Sequence, residues 1–331
     1  MDKKTENFVK TITYGNPSEL VVLAGFLPAA WLKYGEKLKA IVDKYPEMLG
    51  GAMRYTESNL PERFYNGKYT DGWGCEWSNV QEGMEAIVTK HPVLTDEDIV
   101  NLKKPSVDMG LPHGFMYLRI LDLMGFENAM MAFAEENPLL ETLINKVLEY
   151  NVEQLHKILK QYDYPIILFG DDLGMQTGLA IGREKWVKYF APCYNKLFDI
   201  CHKKGVLVYM HTDGCIYDII PDLHQCGADI INPQFRANGI DNLERVCKGR
   251  IPICLDLDRQ LFPFASKGQI YSHIDEIFQR LWLDEGGLAL NIEIGPDVAF
   301  ETIEVIFERV NAYRFYRKNG KAKQIAKGRK S

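Results

Sequence analysis

The sequence predicts an α/β protein built as a (β/α)₈ barrel, and two observations carry this prediction. First, five short runs of β-branched and other apolar residues recur through the second half of the 331-residue chain, most of them followed by an amphipathic helical stretch. Continuous apolar runs are typical of parallel strands that helices cover on both faces. Second, every run ends in an acidic or polar residue, and the reacting groups of such a barrel gather at the carboxyl ends of its strands.

The predicted strands follow one another in chain order, each with polar residues behind it. An earlier apolar run, 21–26, is a further candidate strand. The five runs are 166–169 before Asp171 and Asp172, 206–210 before His211 and Asp213, 229–231 before Asn232, 251–255 before Asp256 and Asp258, and 288–292 before Glu293.

Helices are predicted between these strands, and glycines that suit left-handed helix ends stand before most of the strands. In the first half, Asn137 followed by Pro138 is a strong signal for the start of a long helix. A doubly wound sheet is the main alternative, but the Gly-x-Gly-x-x-Gly turn of its dinucleotide-binding form is absent. The predicted helices are 32–45, 138–162, 183–204, 216–226, 242–248, 272–284 and 300–317.

The domain organisation follows from what separates these elements. No Ser/Gly linker divides the chain, so we predict one domain over residues 1–317. The irregular, Gly- and aromatic-rich stretch 61–111 is expected to elaborate the mouth of the barrel. Residues 318–331 carry six cations and no acid, which indicates a solvated tail or a docking tail for an acidic partner.

Composition excludes several classes of protein. With 45 acidic and 39 basic residues the net charge is −6, so nucleic acid is not an expected partner. Seven scattered cysteines without a Cys-x-x-Cys pair indicate reduced thiols and a cytoplasmic protein. No apolar stretch approaches the roughly 18 residues of a membrane span, and no signal peptide is recognisable.

Several polar residues at predicted strand ends could carry chemistry. We predict His211, Asp213 and Asp172 as catalytic residues, and the same three with Glu293 as ligands of a metal such as zinc, which accepts imidazole nitrogen and carboxylate oxygen. His211 and Asp213 alternate, so an extended segment would point both to one side. Singly, each acid could instead stabilise a turn.

Three further residues have two interpretations each. Cys215 could be a soft metal ligand, although a buried inert thiol is the commoner case. Trp73 and Trp77 could be core residues, but their setting among Gly, Cys and Glu favours the wall of a flat apolar pocket.

These residues resemble a known family. The segments 170–176, 211–214, 232–234 and 296–298, together with Trp73-Gly74-x-x-Trp77 and 257–260, resemble in order the uroporphyrinogen decarboxylase-like superfamily, and within it the corrinoid-dependent methyltransferases that demethylate methoxylated aromatics. The resemblance implies a (β/α)₈ barrel, a small methylated substrate and a corrinoid carried by a partner protein. Beside the two tryptophans, we predict as substrate-binding residues Met175, Gln176 and Gln234 on the matching segments, and Arg236 shortly after one of them.

The resemblance also implies a zinc held by a His-x-Cys pair, and here the sequence departs from the pattern. Asp213 stands at the Cys position, and Glu293 stands where a later Cys ligand is expected. Carboxylates leave a metal a harder Lewis acid than thiolates do, which favours an oxygen-containing substrate. Alternatively the metal is lost, and His211 and Asp213 form a proton-transfer pair.

The expected activity is therefore methyl transfer from a methylated small molecule, best matched by a methoxylated aromatic, to the cobalt of a corrinoid protein. A metal or an acid would assist the leaving oxygen. The alternatives are a uroporphyrinogen-type decarboxylase, which would need a more basic pocket, and a non-catalytic ligand-binding barrel.

Overall fold

The computed structural model describes residues 1–316, and the strands among them fall into long parallel ladders and one small antiparallel sheet. The strands are β1 (Val22–Phe26), β2 (Gly67–Thr70), β3 (Glu76–Asn79), β4 (Ile87–Lys90), β5 (Ile166–Gly170), β6 (Leu207–His211), β7 (Ile230–Asn232), β8 (Ile253–Asp256) and β9 (Leu288–Ile294).

The described residues also contain fifteen α-helices and one short 3₁₀ helix, Glu62–Phe64, joined by turns and loops. The α-helices are α1 (Lys3–Ile12), α2 (Pro28–Tyr34), α3 (Glu36–Lys44), α4 (Pro46–Leu49), α5 (Asp96–Asn101), α6 (Tyr117–Met124), α7 (Phe126–Glu135), α8 (Leu140–Gln161), α9 (Gly182–Tyr189), α10 (Ala191–His202), α11 (Ile220–Gln225), α12 (Phe235–Asn238), α13 (Ile240–Cys247), α14 (Lys267–Leu281) and α15 (Phe300–Tyr313).

By its internal contacts the chain divides into two compact units. The first contains Met1–Phe64, Glu82–Met84 and the described residues from Gln234 to Tyr316, and the second contains Tyr65–Gln81 and Glu85–Pro233. The single domain over 1–317 stays a prediction, and the basic tail 318–331 lies outside the described residues.

The first unit is built on a parallel ladder in the order β1-β9-β8. Alternate residues of β9 point to opposite faces, so Leu290 and Ile292 are buried while Asn291 and Glu293 are only half-buried. Helices α14 and α15 pack together in this unit. Polar side chains therefore stand at the carboxyl end of β9, as the sequence predicts.

The second unit contains the parallel ladder β5-β6-β7 and the antiparallel sheet β2-β3-β4. Helices α8 and α10 pack against each other here, and α10 contacts β6. The predicted strands 166–169, 206–210 and 229–231 are confirmed to within one or two residues. Their parallel pairing is confirmed as well.

Two predicted helices are each broken in the structure. The predicted helix 183–204 is two helices, α9 and α10, because Pro192 has no N–H for the helical ladder and its ring would clash with an earlier carbonyl. The predicted helix 32–45 is also two, α2 and α3, separated by Gly35 at a φ of 51°. That left-handed conformation ends a helix and favours glycine.

Other helix boundaries shift for identifiable reasons. Helix α14 begins at Lys267 rather than 272, because Ser266 and Gln269 form a reciprocal capping box. Helix α11 begins at Ile220 with Pro221 in its first turn, and not at 216. The 61–111 stretch, predicted as irregular, contains the short sheet β2-β3-β4 and helix α5.

Candidate active site

The candidate site lies in the second unit, at the carboxyl ends of β5 and β6. Gly170 of β5 pairs with His211 of β6, which pairs in turn with Asn232 of β7. Residues paired across parallel strands point to the same face, so the side chains that end these strands converge. Asp171 and Asp172 follow Gly170 directly, and Asp213 follows His211 by two residues.

Asp171 faces away from this convergence and holds the start of helix α6. Its fully buried carboxylate accepts hydrogen bonds from the backbone N–H groups of Tyr117 (2.6 Å) and Leu118 (2.8 Å) and from the Tyr194 hydroxyl (2.5 Å). Burial raises the pKa of Asp171, and these hydrogen bonds oppose that rise. Asp171 is therefore a structural anchor, as carboxylates at helix N-termini often are.

His113 is held beside Asp172 by the loop in front of that helix. The Gly114 N–H donates to the Gly170 carbonyl at 2.8 Å. A Cβ at Gly170 would lie 2.5 Å from His113 Nδ1, so only glycine at the end of β5 lets the imidazole come this close. His113 Nε2 lies 3.1 Å from Asp172 Oδ1.

His113 and Asp172 each shift the pKa of the other. Burial alone would lower the pKa of His113, but its hydrogen bond to Asp172 and the charge of that carboxylate outweigh burial and raise the pKa to about 9. Burial likewise raises the pKa of Asp172, and the His113 hydrogen bond and charge reverse the shift to a net lowering. No signal in the sequence points to His113, because no predicted strand precedes it.

His211 is oriented by Asn232 and faces two carboxylates. Its Nδ1 lies 2.6 Å from Asn232 Oδ1, which can only accept a hydrogen bond. In the neutral ring the proton therefore lies on Nδ1, and Nε2 lies 3.5 Å from Asp213 Oδ1 and 3.9 Å from Asp172 Oδ1. The structure thus brings together the three predicted catalytic residues.

The loops that follow β5 and β6 are joined by close backbone contacts. The Gly174 N–H donates to the Asp213 carbonyl at 3.1 Å, and the Cys215 N–H donates to the Met175 carbonyl at 2.8 Å. A Cβ at Gly214 would lie only 2.1 Å from the Gly174 carbonyl oxygen, and Gly214 has a φ of 84°. Both conditions require glycine, and the contact fixes Asp213 relative to Asp172.

The donor atoms of this cluster fit a divalent metal. One ligand atom each from His113, Asp172 and His211 lies within 4.8 Å of the others. Ligands at about 2.0–2.2 Å from a tetrahedral zinc ion stand about 3.3–3.6 Å apart. The measured separations of 3.1 Å and 3.9 Å from Asp172 Oδ1 to the two imidazoles bracket that value.

The remaining predicted metal ligands have other partners. Glu293, in the first unit, forms an ion pair with Arg259, and its role as a metal ligand stays a prediction. The Cys215 thiol is buried, and burial raises its pKa, which makes a thiolate unfavourable there. All seven cysteines are free and buried.

The predicted aromatic residues have structural partners in the second unit. Trp73 is only 5% exposed and packs edge-on against Tyr150, with ring centroids 5.3 Å apart. Trp77 stacks on Tyr69 and donates its indole N–H to Asp71 at 3.1 Å. Contact of either ring with a substrate stays a prediction.

The other predicted substrate-binding residues fall in both units. Met175 and Gln176 lie on the exposed loop after β5. In the first unit, Gln234 precedes α12, and Arg236 lines an open recess of about 560 Å³ with Gln260, Leu261, Phe264 and Gln269.

The Arg236 guanidinium is held against the buried Asp258 by contacts of 2.9 Å and 2.7 Å. Substrate contact by these residues also stays a prediction.

Comparisons with known proteins agree with this architecture. The profile of the family described as uroporphyrinogen decarboxylase (URO-D) matches residues 120–313. A solved methyltransferase from Methanosarcina mazei aligns with 93% of this chain and 98% of its own, with a TM-score of 0.63 and 14% sequence identity. At that low sequence identity, the structural similarity shows a shared fold alone. No curated protein matches the sequence.

Weaker matches cover about half of the chain. Two structures of dihydropteroate synthase from Xanthomonas albilineans, one with 4-aminobenzoic acid and one with indole-2-carboxylic acid and 6-chloroguanine, each align with 44% of this chain and 52% of their own. Their TM-scores are 0.31 and 0.29, at identities of 14% and 13%.

No α-helix among the described residues is long and apolar enough to cross a lipid bilayer.

The family profile decides the family, and the strand pairing decides the fold class. The family profile covers more than half of the chain, and the parallel strands confirm the α/β barrel class that the sequence predicts. The chain therefore belongs to the uroporphyrinogen decarboxylase family.

Proposed function

We propose that this protein transfers a methyl group from a methylated small molecule, best matched by a methoxylated aromatic, to the cobalt of a corrinoid carried by a separate protein. The observation that carries the proposal is the convergence of His211, Asp172 and Asp213 at adjoining strand ends. The shared fold with a methyltransferase from Methanosarcina mazei supports it.

Such a transfer needs a group that stabilises the leaving oxygen, and the residues at the site can provide one. When bound, a reduced corrinoid supplies the nucleophile that accepts the methyl group. The methyl–oxygen bond breaks with both electrons left on oxygen, and that oxygen must gain a proton or a positive neighbour. His211 Nε2, flanked by the carboxylates of Asp172 and Asp213, can hold a metal ion or a proton at that oxygen.

The ligand types at the site favour a methyl donor in which the methyl group is bonded to oxygen. Imidazole and carboxylate ligands make a bound metal harder than thiolate ligands do, and a hard metal prefers oxygen to sulfur. The loops that follow β5 and β6 contain one cysteine, the buried Cys215. A methoxy group therefore suits this site better than a methylated thiol.

The proposal is tested by mixing the purified protein with chemically reduced cobalamin and separate methoxy, methylamine and methylthiol donors. Methylcobalamin, measured by its absorbance, is expected with a methoxy donor. His211→Ala is expected to lower the rate at least about 100-fold, because it removes the group that faces the leaving oxygen. His156→Ala, an exposed histidine on α8, is the matched control and should leave the rate unchanged. Absence of methylcobalamin with every donor would contradict the proposal.

Decarboxylation is the second candidate, because the matching family is described by that activity. A porphyrinogen with many carboxylates needs available cations, yet Arg183, Arg236 and Arg259 are each paired with a carboxylate. Loss of carboxylate from uroporphyrinogen incubated with the protein would establish this activity. A protein with neither turnover nor bound metal but with measurable ligand affinity would instead be a binding barrel.

A further inference from the structure

We infer that His113, Asp172 and His211 form a site of two histidines and one carboxylate for a divalent first-row metal. The inference rests on the proposed function only for what the bound metal would do, because metal binding itself is measured without substrate or corrinoid. Of the four ligands predicted from the sequence, it keeps His211 and Asp172 and omits Asp213 and Glu293. It adds His113, which lies 59 positions before Asp172 in the chain.

The three donor atoms converge without any rearrangement of the backbone. His113 Nε2 is 3.1 Å from Asp172 Oδ1, and His211 Nε2 is 3.9 Å from the same oxygen. The two imidazole rings are 5.4 Å apart, centre to centre, and inclined by 50°. Both Nε2 atoms thus lie near one carboxylate oxygen, and the three donor atoms lie within 4.8 Å of one another, close enough to share one ion.

Each ligand is held by a second group, which is typical of metal sites. The Asn232 carbonyl oxygen accepts from His211 Nδ1 at 2.6 Å and leaves Nε2 unprotonated for the metal. The loop that carries His113 is tied to β5 by the 2.8 Å hydrogen bond from Gly114 to Gly170. The cluster is therefore preorganised.

The composition of the cluster sets the metal and its open positions. Two imidazoles and one carboxylate without a thiolate suit Zn²⁺, Fe²⁺ or Co²⁺ and leave coordination positions for an oxygen of the substrate. This differs from a thiolate-bound zinc, whose ligands suit a thiol substrate. The site should therefore bind the methylated oxygen itself.

Asp213 and Glu293 have other roles in this arrangement. Asp213 Oδ1 is 3.5 Å from His211 Nε2, and Asp213 faces the cluster as a proton carrier for the leaving oxygen. The Glu293 carboxylate is neutralised by Arg259 in the first unit. Glu293 is therefore not required for metal affinity.

The test is titration of the metal-stripped full chain with Zn²⁺ by calorimetry and with Co²⁺ by visible absorption. The wild-type protein should bind one ion. His113→Ala should lower the affinity at least about 100-fold because a ligand is lost, and Asn232→Ala should lower it about 10–100-fold because His211 loses its orientation. Glu293→Gln and the control His156→Ala should each remain within about threefold of the wild type.

Several outcomes would overturn the inference. These are a wild-type protein that binds no ion, a His113→Ala protein that binds as tightly as the wild type, or a sulfur-to-cobalt charge-transfer band in the Co²⁺ spectrum. Circular dichroism confirms that each variant is folded, and His113→Gln, which keeps more side-chain volume, provides a second variant. A wild-type protein that transfers the methyl group yet binds no ion would overturn this inference and leave the proposed function standing.

Discussion

His273 is a single residue that links burial to the pH dependence of stability. It lies in α14, is 7% exposed, and accepts a hydrogen bond at its Nε2 from the Asp258 backbone N–H at 3.1 Å. Burial is the largest cause that lowers its pKa from 6.5 to about 4, and the charge of Arg236 adds to the shift while that of Asp258 opposes it. The folded protein therefore keeps this ring neutral at pH values where the unfolded chain protonates it.

The sign of the effect follows from proton linkage. Because the folded pKa lies below the unfolded value, the stabilisation is complete above pH 6.5 and is lost as the pH falls towards 4. We expect His273 to account for a loss of about 2 kcal/mol in the free energy of unfolding between pH 7 and pH 5. Urea denaturation at both pH values measures this loss, and His273→Gln should reduce it by that amount. If His273→Gln and the control His156→Ala show the same loss as the wild type, the assignment is wrong.

At the scale of elements, helix α6 is positioned by a carboxylate from a different element. Asp171, just after β5, accepts hydrogen bonds from the first amides of α6 and from the Tyr194 hydroxyl of α10. A buried carboxylate with such donors ties three elements together, and the loop before α6 carries His113. The geometry of the candidate metal site therefore depends on this anchor.

Removing one donor tests the anchor. Tyr194→Phe deletes a 2.5 Å hydrogen bond to a charged, buried group, and we expect the free energy of unfolding to fall by about 2 kcal/mol. Tyr14→Phe is a suitable control, because the buried Tyr14 hydroxyl has no hydrogen-bond partner in the described part of the chain. The control should be neutral or slightly stabilising. Equal losses in the two variants would show that the hydrogen bond of the Tyr194 hydroxyl adds nothing to the free energy of unfolding.

The elements also show what the sequence can predict. Strands such as β5 and β9 are predictable because a continuous apolar run has one simple explanation in a barrel. The small sheet β2-β3-β4 is not, since its four-residue, largely exposed strands show no apolar periodicity. His211, Asp172 and Asp213 follow strands and could be predicted, whereas His113 depends on contacts with Gly170 and Asp172, more than fifty residues away.

At the scale of the whole molecule, the net charge conceals an uneven distribution. The chain carries −6, and the six cations of 318–331 are included, so residues 1–317 carry −6 − 6 = −12. Three of the acids, Asp171, Asp172 and Asp213, are concentrated around the carboxyl ends of β5 and β6. A bound divalent cation would offset part of this local negative charge, so metal binding and stability should be coupled.

That coupling gives a prediction for thermal unfolding of the complete chain. A ligand that binds only the folded state at about 100 times its dissociation constant adds about 2.7 kcal/mol of stability. With an unfolding entropy of about 2.1 cal/mol/K per residue, the melting temperature of a 331-residue chain should rise by about 4 °C on addition of Zn²⁺. His113→Ala should abolish the rise, and His156→Ala should keep it, as calorimetric scans would measure. A rise of the same size in His113→Ala would show that the stabilising ion binds to a different set of ligands. His156→Ala is the matched control because it also removes an imidazole, but an exposed one outside the inferred metal site.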